Sequence, residues 1–368
     1  MQVSPLQDFL GRVAARYPSF LLKLGQLETR WLNHSLGATK IDRPLYITGL
    51  ARSGTTIILE LLASHPLVAS YKYRDFPLVH VPYSWNWFIE RASSGSNEAA
   101  ERSHKDRILV SPESPEAMEE ILWMAFFPRC HDPSVSQVLR AEDTYREFEA
   151  FYCDNIRKLL MARKAERYLA KGNYNISRIG YLGRLFPDAR FIIPVRDPVD
   201  HIASLMKQHR LFCEEEARDP KVLAYMQRAG HFEFGLDLRP INFGNLDTVL
   251  RIQRLLSGSD QVKGWAAYWA SAYSFIADLF EKDESLAERM LIVDYSDFCE
   301  APAEMLRRIY SHCELEVEEP MFKEQGVRIS APLYYKPAFS KAEIGAIEEE
   351  TGRSVERIRR LTRYPAAL

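Results

Sequence analysis

Two glycines frame a short loop whose residue types suit the binding of an anion. Residues 49–56 read Gly-Leu-Ala-Arg-Ser-Gly-Thr-Thr, which is the spacing of a phosphate-binding loop, G-x-x-x-x-G-K-[ST], between a strand and a helix. Successive backbone N–H groups and the start of the helix point at the anion in such a loop, and Arg52, Ser53, Thr55 and Thr56 can add side-chain donors. Because Thr55 occupies the usual lysine position, the loop suits a 5′-phosphate group better than a triphosphate with magnesium.

A second cationic position follows another apolar run. Residues 190–195 predict a buried strand, and Arg196 comes directly after it, with Ser204 eight residues later on the next helix. Doubly wound sheets bind ligands at the carboxyl ends of their strands, where an arginine offers a two-pronged donor for phosphate and a serine a short hydroxyl donor. Together with the first loop, this position predicts a ligand with two separate phosphate groups.

The elements that must position these residues alternate between strands and helices. Short apolar runs predict strands, and helical spacing of apolar residues predicts helices. The predicted strands are 44–49, 190–195 and 290–293, and the predicted helices are 6–32, 56–64, 145–168, 199–209, 261–280 and 302–312. This alternation predicts an α/β fold, a central parallel sheet with helices on both faces. We expect a single domain over 1–368, with an N-terminal helix in 1–40, a helical, aromatic and substrate-facing insertion or lid at 71–145, and a C-terminal segment at 320–368.

Composition excludes several classes of protein. The 368 residues carry 48 basic and 50 acidic side chains, a net charge of -2, whereas a dedicated nucleic-acid binder is usually more basic. The longest apolar runs, such as 121–127, are far below the ~20 residues of a membrane helix, and residues 1–10 lack the pattern of a secretory leader. The five cysteines include no C-x-x-C pair, as expected for reduced thiols. We therefore expect a soluble cytoplasmic protein that binds no nucleic acid, and the sequence leaves its oligomeric state open.

The two anion motifs together resemble the sulfotransferases that use 3′-phosphoadenosine 5′-phosphosulfate (PAPS). Residues 49–56 resemble the 5′-phosphosulfate loop in the R-S-G-T-T form of tyrosylprotein and bacterial sulfotransferases, and residues 186–198 with Ser204 resemble the 3′-phosphate segment. Two further stretches support the resemblance, which spans about 45–312. Residues 291–298 resemble a later segment of the family, and Lys171 stands just before the 3′ segment, where members often carry a lysine.

The resemblance implies a P-loop-containing nucleotide-binding fold and a role for each matched residue. Arg52, Ser53, Gly54, Thr55 and Thr56 would hold the 5′-phosphosulfate, without a metal. Arg196 and Ser204 would hold the 3′-phosphate, and Tyr295 matches a nucleotide contact. The product nucleotide would be 3′-phosphoadenosine 5′-phosphate (PAP). One departure is Gln208, which stands where tyrosylprotein sulfotransferases have a further arginine; Lys207, His209 or Arg210 could supply that charge.

The catalytic residues are less clearly indicated. Arg52 and Lys171 are our candidates for neutralising the departing phosphate. Relatives use a histidine or a glutamate as base, and Tyr73 stands at the glutamate spacing here. Asp75 is the first candidate for the base and His80 the second, while a salt bridge between Asp75 and its neighbour Arg74 is an equal alternative. The insertion holds the further candidates His104, Glu113 and His131.

The acceptor is less defined than the donor. The family implies transfer of a sulfuryl group to a hydroxyl or amine acceptor, here a small molecule or a glycan. Aromatic residues between 71 and 88 suit an apolar or ring-bearing acceptor. Two other classes of function stay open at this point. One is a P-loop kinase or NTPase, and the other is a non-catalytic nucleotide-binding relative of the fold.

Overall fold

The computed structural model describes residues 5–92, 100–101, 109–327, 329 and 338–362. The strands in these ranges are β1 (Leu45–Ile47), β2 (Val68–Ala69), β3 (Ala100–Glu101), β4 (Leu109–Val110), β5 (Arg167–Lys171), β6 (Arg190–Val195) and β7 (Met290–Asp294). The helices are α1 (Pro5–Arg16), α2 (Pro18–Ala38), α3 (Thr55–Ala63), α4 (Pro82–Ala92), α5 (Glu120–Phe126), α6 (Arg146–Arg163), α7 (Ile179–Leu185), α8 (Pro198–Arg218), α9 (Pro220–Ala229), α10 (Leu246–Ser257), α11 (Gln261–Lys282), α12 (Glu284–Ala287), α13 (Tyr295–Glu300), α14 (Pro302–His312), α15 (Glu319–Gly326) and α16 (Lys341–Thr362).

Five strands form one parallel sheet in the order β2-β5-β1-β6-β7. Strand β1 lies at its centre, where Leu45 is in register with Leu169 on one side and Arg190 on the other. All pairings in this sheet are parallel. The carboxyl ends of β1, β5, β6 and β7 therefore meet at one edge, which is where α/β proteins bind ligands.

Helices cover both faces of the sheet, as predicted. Side chains alternate along β1: Leu45 and Ile47 join an apolar cluster with helices α3 and α14, whereas Tyr46 faces the opposite cluster with α6 and α11. A strand that is buried on both faces is apolar at every position, which explains the continuous apolar runs in the sequence. The α/β prediction is thus confirmed.

Two elements differ from their sequence predictions. The amphipathic helix predicted over 145–168 ends at Arg163, and residues 167–171 form β5 instead. The helix predicted over 6–32 is two helices, because Pro18 begins α2 after Tyr17, whose backbone is not helical. Proline has no N–H to continue the preceding helix but fits the first turn of a new one.

The 71–145 segment is only partly a surface feature. Tyr71 and Phe76 belong to the core, whereas Trp87 and Phe88 on α4 are exposed. At the other end of the chain, α16 packs on α11, where Arg357 pairs with Asp278 at 2.8 Å. Within the described ranges, no helix combines the length and apolar character needed to cross a bilayer.

Candidate active site

The glycine-framed loop lies at the carboxyl end of β1 and leads directly into α3. Thr48 fixes its start, donating a hydrogen bond from Oγ1 to the carbonyl oxygen of Gly172 at 2.7 Å. Arg52 and Gly54 both adopt positive φ angles, 71° and 106°, which reverses the chain before Thr55 begins the helix. The first N–H groups of a helix lack partners within the helix and attract anions. The local geometry is therefore that of an anion cradle.

Tyr295, the residue that follows β7, covers this cradle. A Cβ atom on Gly54 would lie 2.7 Å from the Tyr295 ring, so only glycine allows the ring to approach so closely. The guanidinium carbon of Arg196 lies 5.5 Å from the centroid of the same ring, within the range of a cation–π contact. Tyr295 thus connects the glycine-framed loop with the arginine that follows β6.

A direct contact also joins the two predicted anion sites. The Nε atom of Arg52 donates to the Oγ atom of Ser204 on α8 at 3.4 Å. Both side chains are partly exposed, as is Arg196. The structure therefore brings together Arg52, Gly54, Arg196, Ser204 and Tyr295 at one edge of the sheet.

His201 supports this site and was not identified from the sequence. Its Nδ1 atom accepts a hydrogen bond from the Trp269 indole at 3.1 Å, so its Nε2 atom carries the proton and donates to the Ala51 carbonyl at 2.8 Å. Burial, with Arg196 and Arg52 nearby, lowers the pKa of His201 to about 3. The neutral ring fastens the loop to α8 and α11. The only sequence signal was its place one helical turn before Ser204.

The position of the additional family arginine is filled by a buried amide. Gln208 is 2% exposed, and its Nε2 atom has no hydrogen-bond partner among the described residues. His209 accepts a hydrogen bond from the Gly235 N–H at 3.2 Å, and Arg210 lies 3.9 Å from Glu214. Lys207 is partly buried.

Lys171 belongs to a polar cluster beside the loop. It ends β5, and its Nζ atom lies 4.0 Å from Glu116. Asn173 donates from Nδ2 to Glu233 at 2.9 Å, and Glu233 lies 3.5 Å from His231 Nδ1. Although burial opposes ionisation, His231, Asn173 and Lys171 lower the pKa of Glu233 to about 2. Glu233 in turn raises the pKa of His231 against the effect of burial.

A narrow cavity connects this cluster with the loop. Glu233 and Asn173 are its polar members, and the other lining residues are apolar or aromatic: Leu50, Ala51, Leu205, Ile241, Trp265 and Tyr268. Leu50 and Ala51 belong to the glycine-framed loop, and Leu205 follows Ser204. The cavity, about 10 Å³ in volume, therefore lies directly beside the loop.

Asp75, the first candidate for the base, is buried in a salt bridge. It is 1% exposed, and Arg163 Nη2 donates to both of its oxygens at 2.9 and 2.8 Å. Asn86 and the Lys72 N–H also donate to it, at 3.1 and 2.7 Å. Because its oxygens already have donors and no access to solvent, we do not retain Asp75 as the base. The pairing with Arg74 is also wrong, since Arg74 pairs with Glu113.

The other base candidates lie elsewhere. His80 is buried beside Lys158, and burial lowers its pKa to about 4. His131 is buried at 2.9 Å from Glu120, Glu113 binds Lys72 and Arg74, and His104 lies outside the described residues.

One group of potential metal ligands occurs among the described residues. Ligand atoms of Glu120, Cys130 and His131 lie within 4.8 Å of one another. However, Arg178 donates to both oxygens of Glu120 at 2.8 and 2.7 Å, and burial raises the pKa of Cys130 to about 12. A protonated thiol and a carboxylate occupied by a guanidinium are poor ligands for a cation, so this group is best explained as a salt-bridge network.

Comparison with known proteins agrees with this geometry. Residues 44–230, just over half of the chain, match the model described as the sulfotransferase family. The chain belongs to the sulfotransferase family. The matched residues include the loop, Lys171, Arg196 and Ser204, whereas Tyr295 lies beyond them. The family therefore indicates transfer of a sulfuryl group and not the kinase alternative, which was already less favourable because the loop lacks its lysine.

One solved structure has a similar fold. This sulfotransferase is similar to sulfotransferase STF9 from Mycobacterium avium, with 16% identity, a TM-score of 0.53 and coverage of 96% of this chain and 86% of that chain. Sulfotransferase STF1 from Mycobacterium tuberculosis H37Rv has 14% identity and a TM-score of 0.49, with coverage of 90% and 81%. The search of curated proteins gave no match.

Proposed function

We propose that this sulfotransferase uses PAPS as donor and transfers its sulfuryl group to a hydroxyl acceptor. The observation that carries the proposal is the contact between Arg52 and Ser204, because it joins the two cationic positions that a nucleotide with separate 5′ and 3′ phosphates requires. The Tyr295 ring also packs closely on Gly54, where a Cβ would meet it at 2.7 Å, so the proposed nucleotide contact lies directly beside the loop.

Each matched residue has a role in this proposal. The loop N–H groups, Ser53, Thr55 and Thr56 would bind the 5′-phosphosulfate, and Arg196 with Ser204 would bind the 3′-phosphate. Tyr295 would orient the nucleotide between them. No residue of this set requires a metal ion to bind the two phosphate groups.

The reaction is an in-line displacement at sulfur. The acceptor oxygen forms the new O–S bond as the bond between sulfur and the 5′-phosphate oxygen breaks, and that oxygen keeps the electron pair. By analogy with phosphoryl transfer, most of the catalysis is positioning and charge stabilisation. Arg52 and the start of α3 would stabilise the charge that develops on the departing phosphate. Lys171 would assist from the neighbouring strand end.

The acceptor would bind beside the loop, near Leu205, Trp265 and Tyr268. The cavity that these residues line has a volume of about 10 Å³, enough for about one water, so it would have to widen to admit an acceptor. This lining suits an apolar or ring-bearing small molecule with a hydroxyl group better than a highly charged one. A glycan or an amine acceptor is the broader alternative that the family permits.

The proposal is tested with PAPS labelled in its sulfuryl group. Purified protein is incubated with the donor and a panel of phenols, primary alcohols, amines and sugars, and the release of PAP and the transfer of label are followed. We expect PAP to form and label to appear in at least one hydroxyl compound. Tighter binding of ATP with magnesium than of PAP would contradict the choice of donor.

A further inference from the structure

We infer that His231, held by Glu233, accepts the proton of the attacking hydroxyl group. The inference rests on the proposed function, since it assigns the base for that reaction. His231 lies just after α9 and is 31% exposed in its side chain, whereas Glu233 is 14% exposed and 3.5 Å away. The pair thus combines an accessible imidazole with a largely buried carboxylate.

The hydrogen bonds of Glu233 fix the imidazole in a useful orientation. One carboxylate oxygen accepts from Asn173 Nδ2 at 2.9 Å, and the other lies opposite His231 Nδ1. When Nδ1 donates to Glu233, the neutral ring has its lone pair on Nε2. An imidazole held in this way can accept a proton at Nε2, and the carboxylate stabilises the cation that forms.

Glu233, the partner of His231, stands next to the place where the transferred group would bind. Glu233 and Asn173 line the cavity that Leu50 and Ala51 of the loop also line. Asn173 Oδ1 is buried without a hydrogen-bond partner among the described residues, so it is available to accept a hydrogen bond from an acceptor.

The charges around His231 agree with its role. Glu233 and Glu116 favour its protonated form, and Lys171 opposes it. The proton that leaves the acceptor oxygen therefore goes to an imidazole whose conjugate acid is stabilised. The electron pair of that O–H bond becomes available for the new O–S bond.

Because the acceptor is unidentified, the test uses water as one acceptor and the phenol and alcohol panel as the others. PAP release is measured across pH for wild type, His231→Gln and Glu233→Gln, with His34→Gln, an exposed histidine of α2, as control. We expect His231→Gln to lower kcat by ~10²–10⁴-fold and to remove the acid limb of the pH profile. Its affinity for PAP should remain that of the wild type. Glu233→Gln should move the acid limb to lower pH.

A second comparison separates proton removal from a structural effect. An acceptor that is already ionised at the assay pH, such as para-nitrophenolate, needs no base, so His231→Gln should lose much less activity with it than with an alcohol. Equal losses, or a wild-type pH profile in His231→Gln, would overturn the inference. The inference would also be overturned if the protein binds PAP but forms none from PAPS, with water or with any other acceptor. Absence of PAP binding in the wild type would instead reject the proposed donor.

A separate observation concerns the outer face of α2. Phe20, Leu24, Leu27 and Trp31 recur at alternating spacings of four and three residues, which places them along one stripe of the helix. Phe20, Leu27 and Trp31 are 58%, 55% and 70% exposed, while the core is contacted by another face of α2 that includes Leu21 and Leu32. The helix therefore has a second apolar stripe directed at solvent.

The stripe continues onto α4. The Tyr83 ring lies edge-on to Trp31 with centroids 6.1 Å apart, and Trp87, one turn further along α4, is 50% exposed. Arg91 lies over the Trp87 ring at 4.1 Å. Aromatic side chains with neighbouring cations are typical of surfaces at the membrane–water interface.

The exposed charges of α2 are of one sign. They are Lys23 and Arg30, while the only acidic residue of this helix, Glu28, is buried at 3.4 Å from Lys158. On α4 the exposed charges near Trp87 are Glu90 and Arg91. We propose that the stripe of α2, with Trp87, binds the surface of an anionic lipid bilayer. Apolar side chains would enter the headgroup region while the basic ones meet lipid charge.

Vesicle co-sedimentation tests this proposal with the full chain. We expect binding to vesicles of phosphatidylcholine with phosphatidylserine, weakened by salt, and little binding to phosphatidylcholine alone. Leu27→Ser with Trp31→Ser, and separately Lys23→Glu with Arg30→Glu, should each reduce binding at least tenfold. The control is Leu250→Ser, at a 47% exposed leucine of α10. The proposal would be overturned if the protein bound no vesicles or if all variants bound equally well. It would also be overturned if the protein were a dimer that Trp31→Ser dissociates, because the stripe would then contact a second copy of the chain.

Discussion

Arg52 and Ser204 lie within hydrogen-bonding distance, Nε to Oγ at 3.4 Å, although 152 residues separate them. One belongs to the loop after β1 and the other to the helix after β6. Because these strands are neighbours in the sheet, the fold itself brings the two motifs together. The contact places the residues of two weak sequence signals side by side, and it is the basis for the proposed site for a nucleotide with two phosphate groups.

Gly54 is expected to be intolerant of any side chain. Alanine at this φ angle costs about 1–2 kcal/mol, and its Cβ would meet the Tyr295 ring at 2.7 Å. We therefore expect Gly54→Ala to weaken PAP binding roughly tenfold or more, measured by calorimetry. Gly37→Ala is the matched control, since nothing lies within 4 Å of a Cβ there, and its affinity should stay unchanged. Equal affinities for the two variants would show that the loop is not part of the donor site.

Asp75→Asn should affect stability rather than chemistry. Removing one partner of a buried ion pair costs ~3–5 kcal/mol, because Arg163 would keep its charge without a counterion. Urea denaturation should show this loss, while activity per folded molecule is retained. Asp154→Asn removes a more exposed partner of Arg157 and should cost about 1 kcal/mol or less. A large loss of kcat at full stability would restore Asp75 as a base candidate.

The lowered pKa of His80 predicts how the free energy of unfolding depends on pH. Burial and Lys158 lower its pKa from 6.5 to about 4, so the unfolded chain binds a proton that the folded chain does not. The contribution of neutral His80 to the free energy of unfolding is complete above pH 6.5 and is lost as the pH falls toward 4. We expect His80→Leu to reduce the stability lost between neutral pH and pH 5 by about 1–2 kcal/mol.

Chemical denaturation at several pH values measures this effect. Since neither ring nitrogen of His80 has a hydrogen-bond partner among the described residues, leucine should be tolerated at neutral pH, with activity retained. An unchanged pH dependence in His80→Leu would show that His80 does not remain neutral in the folded protein.

The fold was predictable from the sequence because its signals are local, and the residues of the proposed donor site were found from signals of the same kind. The spacing of glycines and threonines in 49–56 and the arginine after an apolar strand each specify a backbone shape and a donor. Strand β5 was not predicted, because Arg167 and Lys171 flank only three apolar residues and the run continues the pattern of α6. Its burial at every position depends on neighbours in the sheet.

The proposed base could not be found from spacing. Asp75 stands at the right distance along the chain, but its environment is set by Arg163, 88 residues away. His231 and Glu233 come from a segment between α9 and α10 that has no motif of its own. Only the packing of that segment against Asn173 shows that Glu233, 3.5 Å from His231, shares one cavity with the loop.

The comparison of PAP with AMP tests the central claim most directly. The two nucleotides differ in the 3′-phosphate, which Arg196 and Ser204 are proposed to bind. Calorimetry without magnesium should show tighter binding of PAP, and Arg196→Ala should reduce the difference by ~1.5–3 kcal/mol, the scale of a charged hydrogen bond. Equal affinities for PAP and AMP in the wild-type protein would contradict the account, because they would show that no 3′-phosphate site exists beside the loop.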